Sequence, residues 1–399
     1  MEQQADFFSR PFLEQHIQTT LAFYQRKALD EMGGFFHCFR NDGSLYDTTT
    51  RHLVSSARFV FNYAMAARYF PELNYEGWAR HGLYYLEHFH RQAEGGYAWL
   101  RENGKVSDAN NHCYGLAFVV LAGATAQLAG VKEGKRSRKQ AFELMEMYFW
   151  NEEGGLYADE ASPDFSIISP YRGQNANMHA CEAMIWLYEA TGIKRYLKRA
   201  ETLAENITRG LAAKCDADGL IWEHYDYYWE PDWEYNRDDP QHLFRPWGFQ
   251  PGHQTEWAKL LLILNRHRPK DWYIERAQSL FDLALDKAWD TEYGGIYYGF
   301  APDGTICDSD KYFWVQAESL TAAALLAQAT GEAVYRDWYE RIWAYAWANM
   351  VDHEHGAWYR ILSRDNQRYD DLKSPPSKTD YHTMGACYEV LRSGWLDQN

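Results

Sequence analysis

GGIYYGFAPDGTICDSDKYFWVQAESLTAAALLAQATG, residues 294–331, carries the pattern from which the fold follows. A glycine pair opens it, and two short runs of aromatic and β-branched residues flank a Pro-Asp-Gly turn, which reads as strand, turn and strand. The run SLTAAALLAQA (319–329) is apolar around its whole circumference, the pattern of a buried helix. Ala-Thr-Gly at 329–331 then supplies a helix C-cap signal.

The same order recurs. Glycine signals followed by strand-like runs stand at Gly33, Gly95, Gly154, Gly219, Gly294 and Gly356, separated by 62, 59, 65, 75 and 62 residues. An amphipathic helical pattern precedes the glycines; Tyr196, Ala200, Leu203, Ile207 and Leu211 show its i, i+3/i+4 spacing. Six units of outer helix, hairpin and inner helix predict an all-α (α/α)6 barrel of twelve helices, with residues 1–399 as one catalytic domain. An open solenoid is the competing architecture, but neither end shows the polar capping repeat that it needs. Each hairpin lies between an outer helix and the next inner one, so hairpins and inner-helix N-termini share one rim. The fourth unit alone carries a long insertion, 221–250, which reads as a lid or site wall.

Composition narrows the partners. With 46% hydrophobic and 24% charged residues the chain is ordinarily globular. Forty Lys+Arg against fifty-six Asp+Glu give a net charge of −16, which argues against nucleic acid or an anionic membrane surface. Aromatic residues reach 17%, more than a core demands, and their faces suit the C–H faces of sugars. The six cysteines are scattered without a C-x-x-C pair, no secretory leader pattern opens the chain, and the longest apolar stretch (116–126) is too short for a bilayer. A soluble cytoplasmic protein is expected.

The inner-helix starts hold the chemistry. In order they offer Arg51 and Arg58; Asn110, His112 and Tyr114; Arg172, Asn175, Asn177, His179 and Glu182; His253 and Glu256; Lys311, Trp314, Gln316 and Glu318; Asp380, Tyr381 and His382. His179, His253 and His382 are 74 and 129 residues apart yet occupy equivalent places in units three, four and six. The repeat therefore gathers them at one mouth of the barrel. Imidazole exchanges protons near neutrality, and a helix N-terminus disfavours its charged form. Arg and Asn donors can stabilise a developing oxyanion. Moving a proton between carbons beside a carbonyl needs these parts and no cofactor, as in aldose–ketose isomerisation or 2-epimerisation of a monosaccharide.

Three rivals use the same residues. The H-x-x-E spacing of His179/Glu182 and His253/Glu256 could bind a divalent metal, although no H-E-x-x-H motif or acidic run supports it. A glycoside hydrolase would need two opposed carboxyls, which Glu182, Glu256, Glu318 and Asp380 could supply, but it leaves three histidines unexplained. A non-catalytic sugar-binding barrel would bind without turnover.

The strings YRGQNANMHACEA (171–183), FRPWGFQPGHQTEW (244–257), TRHLVSSARF (50–59) and DYHTM (380–384) resemble the N-acylglucosamine 2-epimerase superfamily, and most of all its mannose isomerase and sulfoquinovose (aldose–ketose) isomerase branch. The resemblance spans nearly the whole chain. It implies an (α/α)6 barrel that converts D-mannose, and aldoses such as lyxose, to the ketose through a cis-enediol(ate), with no metal or other cofactor. It implies His253 and His382 as the acid/base pair, with His179 and Glu256 assisting. Arg58, Asn175, Tyr114, Trp314, Glu182, Gln316 and Arg51 would bind the sugar. Family members occur as monomers and homodimers. The WVQAE string also suits epimerases, so 2-epimerisation remains the alternative outcome.

Overall fold

The computed structural model describes residues 5–25, 27–215, 217–375 and 377–398. Among the described residues, twelve α-helices alternate between an outer and an inner ring. The outer set is α1 (Arg10–Gln25), α3 (Glu76–Tyr85), α5 (Gly134–Leu144), α7 (Lys194–Glu205), α9 (Asp271–Ala288) and α11 (Ala333–Asn349). The inner set is α2 (Leu53–Tyr69), α4 (Cys113–Leu128), α6 (Gln174–Thr191), α8 (Pro251–His267), α10 (Phe313–Thr330) and α12 (Tyr381–Ser393).

Patterning decides which ring a helix joins. In α10 every residue from Val315 to Ala327 is buried, whereas α7 buries one face through Tyr196, Leu197, Ala200, Leu203 and Ala204. Each inner helix from α2 to α10 packs on the outer helix that follows it, and α1 packs on α12. The inner ring closes, since α2 contacts both α4 and α12. Gly192 and Gly331 take the left-handed conformation that ends α6 and α10, as their C-cap signals predict.

The rim is stitched between units. The strand entering each inner helix pairs antiparallel with the next unit's hairpin: Arg51–His52 with Leu100–Glu102, Asn111–His112 with Glu160–Ala161, and Arg172–Gly173 with His224–Tyr225. Phe249 bridges to Phe300, Lys311–Tyr312 pairs with Ile361–Leu362, and Leu372–Ser374 returns to Cys38–Arg40 of the first unit. The open solenoid is thereby excluded.

A side-chain clamp repeats on each junction from the second unit onward. Asn111, Asn177, Gln254 and Gln316 each accept a hydrogen bond from the backbone N–H of Tyr97, Tyr157, Ile221 and Ile296, just after the glycine signal; Asp380 does the same for Trp358. Gln316 also donates to the Ile296 carbonyl at 2.9 Å. Replacing Gln316 by alanine leaves two buried backbone groups unpaired, at about 1–3 kcal/mol each. Thermal or denaturant unfolding of Gln316→Ala should therefore show a loss of about 2–6 kcal/mol. No helix among the described residues is long and apolar enough to cross a membrane.

Candidate active site

At the hairpin rim the inner ring opens into a cavity. Its wall includes Arg58, Tyr114, Asn175, His179, His253, Glu256, Trp314 and His382. These residues come from all six inner helices, and most sit in the first two turns. The insertion of the fourth unit supplies Leu243, Phe244 and Pro246 to the same wall. Arg360, Ser377 and Lys378 complete it from the sixth unit.

Each of the three histidines has its Nδ1 beside a glutamate. His382 Nδ1 lies 2.6 Å from Glu318 Oε1, His253 Nδ1 lies 2.9 Å from Glu223 Oε2, and His179 Nδ1 lies 3.2 Å from Glu182 Oε2. A carboxylate at Nδ1 fixes the tautomer with the proton there, so Nε2 carries the lone pair. Three different routes produce this result. Glu182 sits one turn along the same helix as its histidine, Glu318 comes from the neighbouring helix, and Glu223 comes from the insertion. Gln174 locks the third pair by donating to Glu223 at 2.8 Å while accepting from Trp257.

Distances confirm one cup. The rings of His179 and His382 are 6.3 Å apart, and the Trp314 indole lies 4.9 Å from His253 and 5.8 Å from His382. Arg58 Nη2 stands 3.2 Å from His382 Nε2 and 3.1 Å from the Tyr114 hydroxyl, while Nη1 donates to the Ser377 carbonyl. The guanidinium is sandwiched over Phe118 and Tyr381, which fixes it without neutralising it.

Burial tunes the charges. Desolvation lowers the His179 pKa to about 4, and it holds His382 well below the usual imidazole range, with Arg58 adding to the effect. Both rings rest neutral. The helix N-terminus expected from sequence is a lesser cause, since His179 lies six residues into α6. Burial opposes ionisation of Glu182, yet the Lys259 ammonium and the bond to His179 bring it down to about 2. Glu256 goes the other way: burial and the neighbouring Glu318 push it well above the carboxylate range.

Not every candidate reaches the cavity. Arg51 turns away to form an ion pair with Asp30 at 2.6 Å and to bond the Thr48 and Thr50 carbonyls. Gln316 is the hairpin clamp described above. Both are corrections to the sugar-binding set. Glu182 lies beneath the cavity, held by His179 and by the Tyr381 hydroxyl at 2.6 Å. Of the two H-x-x-E spacings, His179 does meet Glu182, whereas His253 meets Glu223 and not Glu256. Sequence reading overlooked Glu223 and Lys259; the signals for them were a glutamate opening the insertion and a lysine inside the apolar run of α8.

Two sets of side chains, His179/Glu182/Glu256 and Glu256/Glu318/His382, bring possible ligand atoms within 4.8 Å of one another. The chain fills this place with its own cation. Lys259 Nζ lies 2.5 Å from Glu318 Oε2 and 3.4 Å from Glu256 Oε1. A divalent ion there would face a fixed ammonium, so the donor set does not fit a metal.

The N-acylglucosamine 2-epimerase (GlcNAc 2-epimerase) family profile matches residues 34–386. A D-mannose isomerase of Marinomonas mediterranea is 54% identical, covering 97% of this chain and 98% of the relative. A D-mannose isomerase of Thermobifida fusca is 34% identical, covering 75% and 73%. A crystal structure of D-mannose isomerase superposes with a TM-score of 0.96 at 53% identity, covering 98% of this chain and 100% of that one.

Proposed function

Because the chain belongs to the N-acylglucosamine 2-epimerase family, we propose that it isomerises D-mannose and D-fructose reversibly, with its own side chains as the only catalysts. The observation that carries this reading is the set of three glutamate-backed imidazoles facing one cavity, in a chain whose high-identity relatives are D-mannose isomerases. A base takes the hydrogen from C2 of the open-chain aldose, giving a cis-enediol(ate), and a proton is returned at C1. His253 and His382 form the acid/base pair on either side of Trp314. Arg58 gives its Nη2 donor to the oxygens at C1 and C2, which frees the His382 lone pair as negative charge develops on oxygen. His179 and Glu256 serve ring opening. Asn175, whose Oδ1 is buried without a hydrogen-bond partner among the described residues, and Tyr114 hold sugar hydroxyls.

The resting tautomers support this assignment. A ring with its proton pinned on Nδ1 accepts a proton at Nε2 and, after exchange with solvent, donates one from the same atom without rearrangement. The whole of 1–399 works as one catalytic domain on a free monosaccharide. A cytoplasmic setting suits the six free thiols.

Purified, EDTA-treated protein should convert mannose to fructose and, in deuterium oxide, introduce deuterium at C1 of the ketose. Glucose as the first product would replace isomerisation by 2-epimerisation. Sugar release from a glycoside with free mannose untouched would identify a hydrolase. Activity that EDTA abolishes and a divalent ion restores would overturn the metal-free route.

A further inference from the structure

Lys259 lies three residues beyond Glu256 in α8, buried in the run AKLLLIL. Its ammonium touches two carboxyls unequally, with Glu318 Oε2 at 2.5 Å and Glu256 Oε1 at 3.4 Å. Glu318 has a donor on each oxygen, Lys259 on one and His382 Nδ1 on the other. Glu256 Oε2 has no hydrogen-bond partner among the described residues, although the residue is fully buried in the cavity wall. A buried ionised oxygen without a donor is costly, whereas a neutral carboxylic acid there is not.

The surrounding charges agree. The groups facing this cluster are Arg58 from α2, Tyr114 from α4, His179 and Glu182 from α6, and Tyr381 and His382 from α12. With the histidines neutral, Arg58 and Lys259 balance Glu182 and Glu318. A third anion would have no counterion. Burial raises Glu318 as well, and the ammonium's charge and hydrogen bond offset part of that rise, leaving it above its ordinary value.

We propose that Lys259 is a positioning residue that divides charge between the two carboxyls: it keeps Glu318 anionic to orient His382, and it leaves Glu256 a neutral acid donating from Oε2 to a substrate oxygen. The placement of substrate rests on the isomerase reading, but the charge division does not. It is read in the free protein by infrared difference spectroscopy in deuterium oxide. The wild-type minus Glu256→Gln spectrum at neutral pD should show the carbonyl stretch of one protonated carboxyl. An ionised Glu256 would overturn the proposal whatever the substrate.

Lys259→Met, unbranched, one atom shorter and uncharged, should gain a second protonated band that Glu318→Gln removes. Its kcat should fall by about thirtyfold or more while KM moves less than about threefold, and the acid limb of kcat/KM should move up by about one pH unit or more. Lys259→Arg should restore the lower limb. A Lys259→Met protein with wild-type turnover and an unmoved profile would also overturn it. Should that variant fail to fold, the Glu256 spectrum decides alone.

Discussion

His382→Ala should lower kcat on mannose by about a hundredfold or more, and His253→Ala should do the same, because each removes one member of the proposed acid/base pair. Deuterium incorporation at C1 falls in parallel, which places the loss in the proton-transfer step. The folded state tolerates His382→Ala, since Glu318 keeps Lys259 as a partner. Unfolding curves close to wild type would separate a chemical loss from a structural one. A variant that retains turnover within about threefold of wild type removes that ring from the proton path.

Acid should destroy the fold early. Burial lowers His16, His90, His112, His179 and His224 to about 4, and it puts His37, His52 and His382 well below the usual range. In the unfolded chain each titrates near 6.5. Between these values the unfolded state binds protons that the folded state refuses, so stability is complete above about pH 6.5 and drains away as pH falls. Burial acts in the opposite sense on Asp159, raised to about 7, and on Glu256; these carboxyls favour the fold as pH drops. The eight histidines outnumber these carboxyls, so unfolding takes up several protons, each worth roughly 1.4 kcal/mol per pH unit. Circular dichroism across an acid titration should show a cooperative transition centred at about pH 5. Native helical signal with a sharp thermal transition at pH 4 would contradict this balance.

Much of the architecture was legible because the chain repeats itself. Gly34 shows why the glycine signal is so regular. Its φ is 74°, and a Cβ there would meet the Tyr85 ring at 2.6 Å, so the outer helix approaches too closely for another residue. The repeat also located the inner-helix starts, and with them the residues that gather at the rim. It could not say which way a side chain points. Trp314 and Gln316 are two residues apart on one helix, about 200° around its axis; the first lines the cavity and the second clamps the hairpin. Asp380 and His382 divide the same two tasks, as do Asn177 and His179. Glu223 was hidden because its partner lies 30 residues away across the insertion. Lys259 was hidden because its closest carboxyl lies 59 residues away on the next inner helix. Partners fixed by ring closure leave no local spacing to read.

The seam between the first and sixth units has a consequence for biosynthesis. α1 buries Leu13, Ile17, Leu21 and Tyr24, and it packs on α12; the Tyr24 hydroxyl donates to Asp380, 356 residues later. A nascent chain leaving the ribosome thus carries α1 with an apolar face bare until α12 emerges. It also carries the Cys38–Arg40 strand without the Leu372–Ser374 segment that pairs with it. Until that segment and α12 emerge, the growing polypeptide depends on chaperone shelter or on makeshift contacts among its own units, and the cup stays incomplete.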